Sequence, residues 1–139
     1  MAKVRETLEV PICVGERRYT RFGFRDLIAA QAVDMIMPDV VRTGGIAETK
    51  KIAAMAETFH ISVAPHNPNS PISTLVSMHA AIGMHNFIML EFIADDAPWR
   101  DDIMDPPLRV EQGYLVPPDR PGIGAELNMK QLKKHLADV

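Results

Sequence analysis

Between residues 9 and 92, short apolar runs alternate with helical patterns. The runs are Glu9–Val14, ended by Gly15; Val33–Met37, ended by Pro38; Ile61–Ala64, ended by Pro65; and Phe87–Leu90. A strand covered on both faces needs no polar alternation, so these runs suit a parallel sheet. Between the first two, Phe24, Leu27 and Ile28 recur at spacings of three and four, which predicts a helix over 22–31. Over 46–59, Ile46, Ile52, Ala53, Met55, Ala56 and Phe59 line one side, while Glu48, Lys50, Lys51 and Glu57 face away. That is an amphipathic helix. Residues 72–84 are small and apolar almost all round, which predicts a buried helix. The order β-α-β-α-β-α-β requires a parallel sheet with right-handed crossovers, an α/β fold.

Each run is followed by a polar group: Glu16, Asp39, His66 and Glu91, separated by 23, 27 and 25 residues. A (β/α)₈ barrel uses about 250 residues for eight units, so each interval matches one unit. Parallel strands deliver all four groups to the C-terminal rim, where barrel enzymes keep their chemistry. Each group has an ordinary alternative. An aspartate after a strand caps the next helix, and a histidine after proline sits in a turn. Four such groups in register form a constellation.

Composition narrows the function. A net charge of −3 argues against nucleic-acid binding. No apolar run nears the ~18–20 residues of a membrane span. The opening residues lack a secretory pattern, and the single cysteine, Cys13, excludes an intrachain disulfide, so a cytoplasmic protein is expected. Cys13 reads as an inert core thiol. His60, His79 and His85 read as surface or core fillers. Gly44-Gly45 before a helix reads as a tight turn, or else as an anion site at exposed N–H groups.

After residue 92 the alternation stops. Residues 93–125 are rich in Asp, Pro and Gly and predict an irregular excursion, with Trp99 buried against a partner surface. Asn128 is placed to cap a closing helix, Met129–Ala137. Two parts are therefore expected: a partial barrel over 1–92, and a return segment with a C-terminal helix over 93–139.

The strings VGERRYTRFGF, MPDVVRTGGIAETKKIAAMAE, VAPHNPNSPI and NFIMLEF carry a resemblance, together with the tail PWRDDIMDPPLRVEQGYLVPPDRPGIGAELN. They resemble the C-terminal part of the mandelate racemase/muconate lactonizing group of the enolase superfamily. Within that group they most resemble the sugar-acid dehydratases, galactonate dehydratases among them. The resemblance implies strands five to eight of a TIM-like (β/α)₇β barrel, with a tail that packs on a capping domain. It implies Mg²⁺ chemistry in which the proton α to a carboxylate is removed to give a metal-stabilised enolate. By position, Glu16 resembles the last of three metal-binding carboxylates. Asp39 and His66 resemble the paired residues of the sixth and seventh strands, and Glu91 the eighth-strand carboxyl that touches substrate.

The residue types suit these roles. Mg²⁺ takes hard oxygen ligands, and imidazole titrates near neutrality, as a general base must. Asp39 would accept a hydrogen bond from the other ring nitrogen of His66. Arg17 and Asn67 are placed to hold substrate oxygens, although Arg17 suits pairing with a neighbouring carboxylate equally well.

Members of that group are more than twice as long. The first four strands, two of the metal carboxylates and a catalytic lysine or histidine are absent from these 139 residues. The expectation is a piece of a dehydratase or racemase acting on a hydroxy acid or sugar acid, inactive by itself. It would be found as a homo-oligomer or beside a complementary N-terminal half. The alternatives are a non-catalytic half-barrel, serving as an oligomeric scaffold or surviving as a decayed gene product, and an unrelated doubly wound binding protein. The last offers no reason for four polar strand ends in register.

Overall fold

The computed structural model describes residues 1–94 and 97–136. A short helix α1 (Ala2–Arg5) leads to a sheet of β1 (Cys13–Val14), β2 (Met35–Ile36) and β3 (Ser62–Val63), in that order and all parallel. Cys13 pairs with Met35, and Met35 with Ser62. The fourth expected strand is reduced to a parallel bridge between Phe87 and Val63. It is extended by bonds from Ile88 N–H to the Val63 carbonyl and from Glu91 N–H to the Pro65 carbonyl. The regular pairing covers two residues of each run, and single bonds continue it beyond, from Met37 N–H to the Val14 carbonyl and from Ala64 N–H to the Ile36 carbonyl.

Helices α2 (Thr20–Ala29), α3 (Val40–Thr43), α4 (Ile46–Glu57) and α5 (Pro71–Ile82) fill the crossovers. The three long helices lie within two residues of their expected ends. α3 is an extra turn, capped by Asp39 and closed by Gly44 at φ 114° and Gly45 at φ 90°. Both glycines take left-handed conformations that L side chains rarely adopt, which accounts for the Gly-Gly pair as a turn.

The main core joins Phe24, Ile28, Val33, Ile36, Ile52 and Val63 between sheet and helices. Gly15 sits against it, also at positive φ. A Cβ there would lie 2.8 Å from the Phe24 ring and 3.1 Å from the Met37 nitrogen, so only glycine lets β1 turn outward at this point. On α4 the buried face is Thr49, Ile52, Ala53 and Ala56. Ile46 is exposed, and Glu48, expected to face away, is largely covered and paired with Arg21 of α2 at 2.7 Å.

The return segment is more ordered than expected. A 3₁₀ turn (Asp101–Ile103) precedes β4 (Met104–Asp105), and β5 (Val110–Glu111) and β6 (Tyr114–Leu115) form a hairpin. β4 then pairs with β7 (Glu126–Leu127). Ile103, Met104, Leu108, Leu115 and Ile123 join Leu75 and Met78 of α5 in a second apolar cluster, and the His79 ring bonds the Ile123 carbonyl. Trp99 is 40% exposed and stacks on His135 at 4.4 Å, not on a buried surface of this chain.

The closing helix is one turn, α6 (Met129–Leu132), capped by Asn128 and followed by a 3₁₀ turn to His135. Its expected last residue, Ala137, lies outside the described residues. Among the described residues, no helix is long and apolar enough to cross a membrane.

Candidate active site

The four expected side chains follow β1, β2, β3 and the Phe87 bridge, so the parallel sheet does deliver them to one rim. The centre is Asp39, which is fully buried. Its Oδ1 accepts the Val41 N–H of α3 at 2.8 Å. Its Oδ2 lies 2.9 Å from His66 Nδ1 and accepts from Asn69 Nδ2 at 3.0 Å. A carboxylate accepts at this oxygen, which favours the tautomer with the ring proton on Nδ1 and the lone pair on Nε2. Burial opposes the charge on Asp39, but the hydrogen bonds from His66, Asn69 and Val41 outweigh it and hold the carboxyl below its ordinary range. Arg42 adds a cation 3.7 Å away.

The pairing follows from the local chain. His66 N–H donates to the Pro38 carbonyl, which continues the strand pairing one step past each proline stop and sets His66 beside Asp39. Nε2 of His66 faces the Glu91 carboxylate at 3.9 Å, and the His66 side chain is 14% exposed. Asn67, expected to hold substrate oxygens, is fully buried. Its N–H donates to Glu91 Oε2 at 2.9 Å. Its amide nitrogen donates to Thr74 Oγ1 and the Glu91 carbonyl, and its amide oxygen accepts from Ser73 Oγ. In this chain Asn67 braces Glu91 against α5.

Glu16 lies at the rim, half-exposed. Hydrogen bonds from its own N–H and that of Gly15 lower its carboxyl below the ordinary range. Arg17 is 88% exposed, with Nε 3.9 Å from a Glu16 carboxylate oxygen. Arg42 donates to the Glu16 carbonyl at 3.2 Å. Among the described residues, no group of three or more His, Cys, Asp or Glu side chains is arranged to hold a metal ion. Burial raises the Cys13 thiol pKa, helped by the charges of Glu16 and Glu91, so Cys13 is a poor nucleophile.

Sequence reasoning missed Asn69, Arg42 and Arg100. Arg100 of the return segment donates to the Asn69 carbonyl. No local pattern marks Asn69 or Arg100, whose partners lie 30 and 31 residues away, whereas Arg42 stands three residues after Asp39, a spacing visible in the sequence, and also reaches the Glu16 carbonyl 26 residues back.

The family described as enolase C-terminal domain-like matches residues 1–131. The chain belongs to this family. It is 37% identical over 135 residues to the D-xylonate dehydratase of Haloferax volcanii, covering 97% of this chain and 33% of that protein. It is 34% identical over 131 residues to a D-galactonate dehydratase of Xanthomonas campestris, covering 90% of this chain and 34% of that one. The crystal structure of a mandelate racemase/muconate lactonizing enzyme-like protein from Rubrobacter xylanophilus superposes with a TM-score of 0.92 at 41% identity, over 99% of this chain and 35% of its own. The chain thus spans about a third of the length of the curated relatives it matches. Its fold is the α/β fold of the enolase-superfamily C-terminal domain.

Proposed function

We propose that this chain carries the base-bearing part of a sugar-acid dehydratase. One observation carries the reading: His66 is held through Nδ1 by buried Asp39 while Nε2 opens toward Glu91. Nε2 takes the proton α to the substrate carboxylate, leaving the electron pair on the substrate as an enolate. Asp39 stabilises the imidazolium so formed. The enolate then expels the β-hydroxyl, and the same Nε2–H protonates the departing oxygen to give water. Glu91, fixed by Asn67, contacts substrate at the mouth. Dehydratase relatives support a sugar acid as the substrate class.

Mg²⁺ would supply charge neutralisation for the developing enolate. The donor set fits it only in part. Glu16 offers hard oxygens, but one accepts a bond from Gly15 N–H at 3.3 Å, and Asp39 is committed to His66. Mg²⁺ requires near-octahedral oxygen coordination, so Glu16 would be one ligand and the others would come from outside these 139 residues.

The test is a chimera in which this chain replaces the matching third of the Haloferax volcanii dehydratase. The expected result is dehydration of D-xylonate, with the His66→Asn chimera slower by about 10²–10⁴-fold, the usual contribution of a general base. A folded chimera without activity, or an H66N chimera as active as its parent, would overturn the reading.

A further inference from the structure

We propose that Asn69, gripped by Arg100 of the return segment, is a positioning residue that decides which nitrogen of His66 carries the proton. The inference rests on the reading of His66 as the base. Two carboxylates face the ring from different elements: Asp39 at Nδ1, 2.9 Å away, and Glu91 at Nε2, 3.9 Å away. Each favours a proton on the nitrogen it faces. The base needs Nε2 bare, so Asp39 must win.

Val41 N–H pins only Oδ1 of Asp39. A carboxylate held at one oxygen still rotates about its bond to Cβ. Asn69 Nδ2 makes a hydrogen bond to the other oxygen, Oδ2, which is the one that His66 uses, while Arg42 Nε approaches it only to 3.7 Å. Asn69 therefore sets the plane of the acceptor.

The Asn69 amide is only as well placed as the loop between β3 and α5 that carries it. Arg100, itself buried, donates to the Asn69 carbonyl from 31 residues further along the chain. One residue thus links the return segment through its backbone to the ring proton through its side chain. A substitution of the Asn69 side chain leaves the Arg100 bond in place, because that bond uses the backbone. Substitution of Arg100 does the reverse.

The experiment is a long-range proton–nitrogen NMR spectrum of the 139-residue chain labelled with ¹⁵N-histidine, which separates the two ring tautomers at neutral pH. His66 in the unmodified chain is expected to show the Nδ1–H form. In Asn69→Leu the ratio of Nδ1–H to Nε2–H is expected to fall about tenfold, the factor that loss of one charge-assisted hydrogen bond carries. Arg100→Met is expected to move it in the same direction. Parent-like ring signals in both folded variants would overturn the proposal.

Should Asn69→Leu fail to fold, the unmodified chain decides. Its Asn69 side-chain amide is expected to exchange with solvent more slowly than an exposed amide, and exchange at the exposed rate overturns the contact. The ring spectrum is independent of turnover. An active H66N chimera would therefore remove the base reading while this result stood.

Discussion

Asp39 does the work of two residues. It caps α3 through Oδ1 and orients His66 through Oδ2, so the ordinary reading of an aspartate after a strand and the functional one are both true of it. Asp39→Ala is expected to destabilise the chain by about 2–4 kcal/mol, since a lost cap is worth about 1 kcal/mol and buried donors left unpaired cost more. Asp39→Asn keeps the volume and an acceptor and is expected to lose less. The pH dependence has a definite sign. The folded carboxyl is held below its unfolded value, so its stabilisation is present above that value, about pH 4, and is lost as pH falls through the folded one. Urea unfolding from pH 7 to pH 2 should therefore show a shallower acid decline in D39N than in the parent; equal declines would show that Asp39 is not so held. Asn67→Ala keeps the backbone bond to Glu91 but removes two donated bonds and one accepted bond of a buried amide, and is expected to cost about 2–4 kcal/mol. An exposed substrate-binding asparagine would cost almost nothing, so the same denaturation curve separates the two placements.

At the scale of elements, α2 lacks a cap of its own. Tyr19 stands at its N-cap with no side-chain bond to the first turn. Glu48, reaching across from α4, accepts the Arg21 N–H at 2.8 Å and the Arg21 guanidinium at 2.7 Å. It is at once a cap and half of an ion pair, and those bonds lower its carboxyl pKa. Urea midpoints are expected in the order parent, Glu48→Gln, Glu48→Ala, because glutamine keeps an acceptor for the N–H and alanine keeps neither. High salt should narrow the first gap more than the second. A Glu48→Gln midpoint as low as that of Glu48→Ala would reduce the contact to the ion pair.

This bond also marks where legibility ended. Helix positions were readable because apolar spacing and Gly or Pro stops are local signals. Helical spacing alone places Glu48 toward solvent, because its partner lies 27 residues back on another helix. The β5–β6 hairpin did have a local signal: Gln112-Gly113, both at positive φ, between Val110-Glu111 and Tyr114-Leu115. Two-residue strands give too little alternation to show as a pattern. The β4–β7 pairing has no local signal at all. In the site, strand-end addresses predict Asp39 and His66 on one rim and the family resemblance implies their pairing, while the burial of Asn67 and the Arg100–Asn69 link depend on how α5 and the return segment pack.

At the scale of the whole molecule, the sheet has two open sides among the described residues. Residues 12 and 14 bond to β2 and residues 86 and 88 to β3, so the backbone groups of Cys13 and Phe87 face outward at the two edges. An apolar groove of about 720 Å³ runs beside the second edge, between α5, Ile88, Met89 and the β5–β6 hairpin, with Tyr114 76% exposed. Unpaired parallel edges and exposed apolar surface favour association. Sedimentation of the purified chain is therefore expected to show an oligomer whose population rises with concentration, and a monomer at all concentrations would refute this. Mg²⁺ adds a second arm. Glu16 is a single carboxylate, partly engaged by Gly15 and Arg17, and Mg²⁺ gives up its waters reluctantly. The expected result is weak, unsaturated Mg²⁺ binding by calorimetry, an unchanged sedimentation profile with the metal, and no dehydration of D-xylonate or D-galactonate by the chain alone. Tight binding that tightens the oligomer and disappears in Glu16→Gln would mean that neighbouring copies complete the metal site, and the 139 residues would then hold more of the enzyme than their own side chains show.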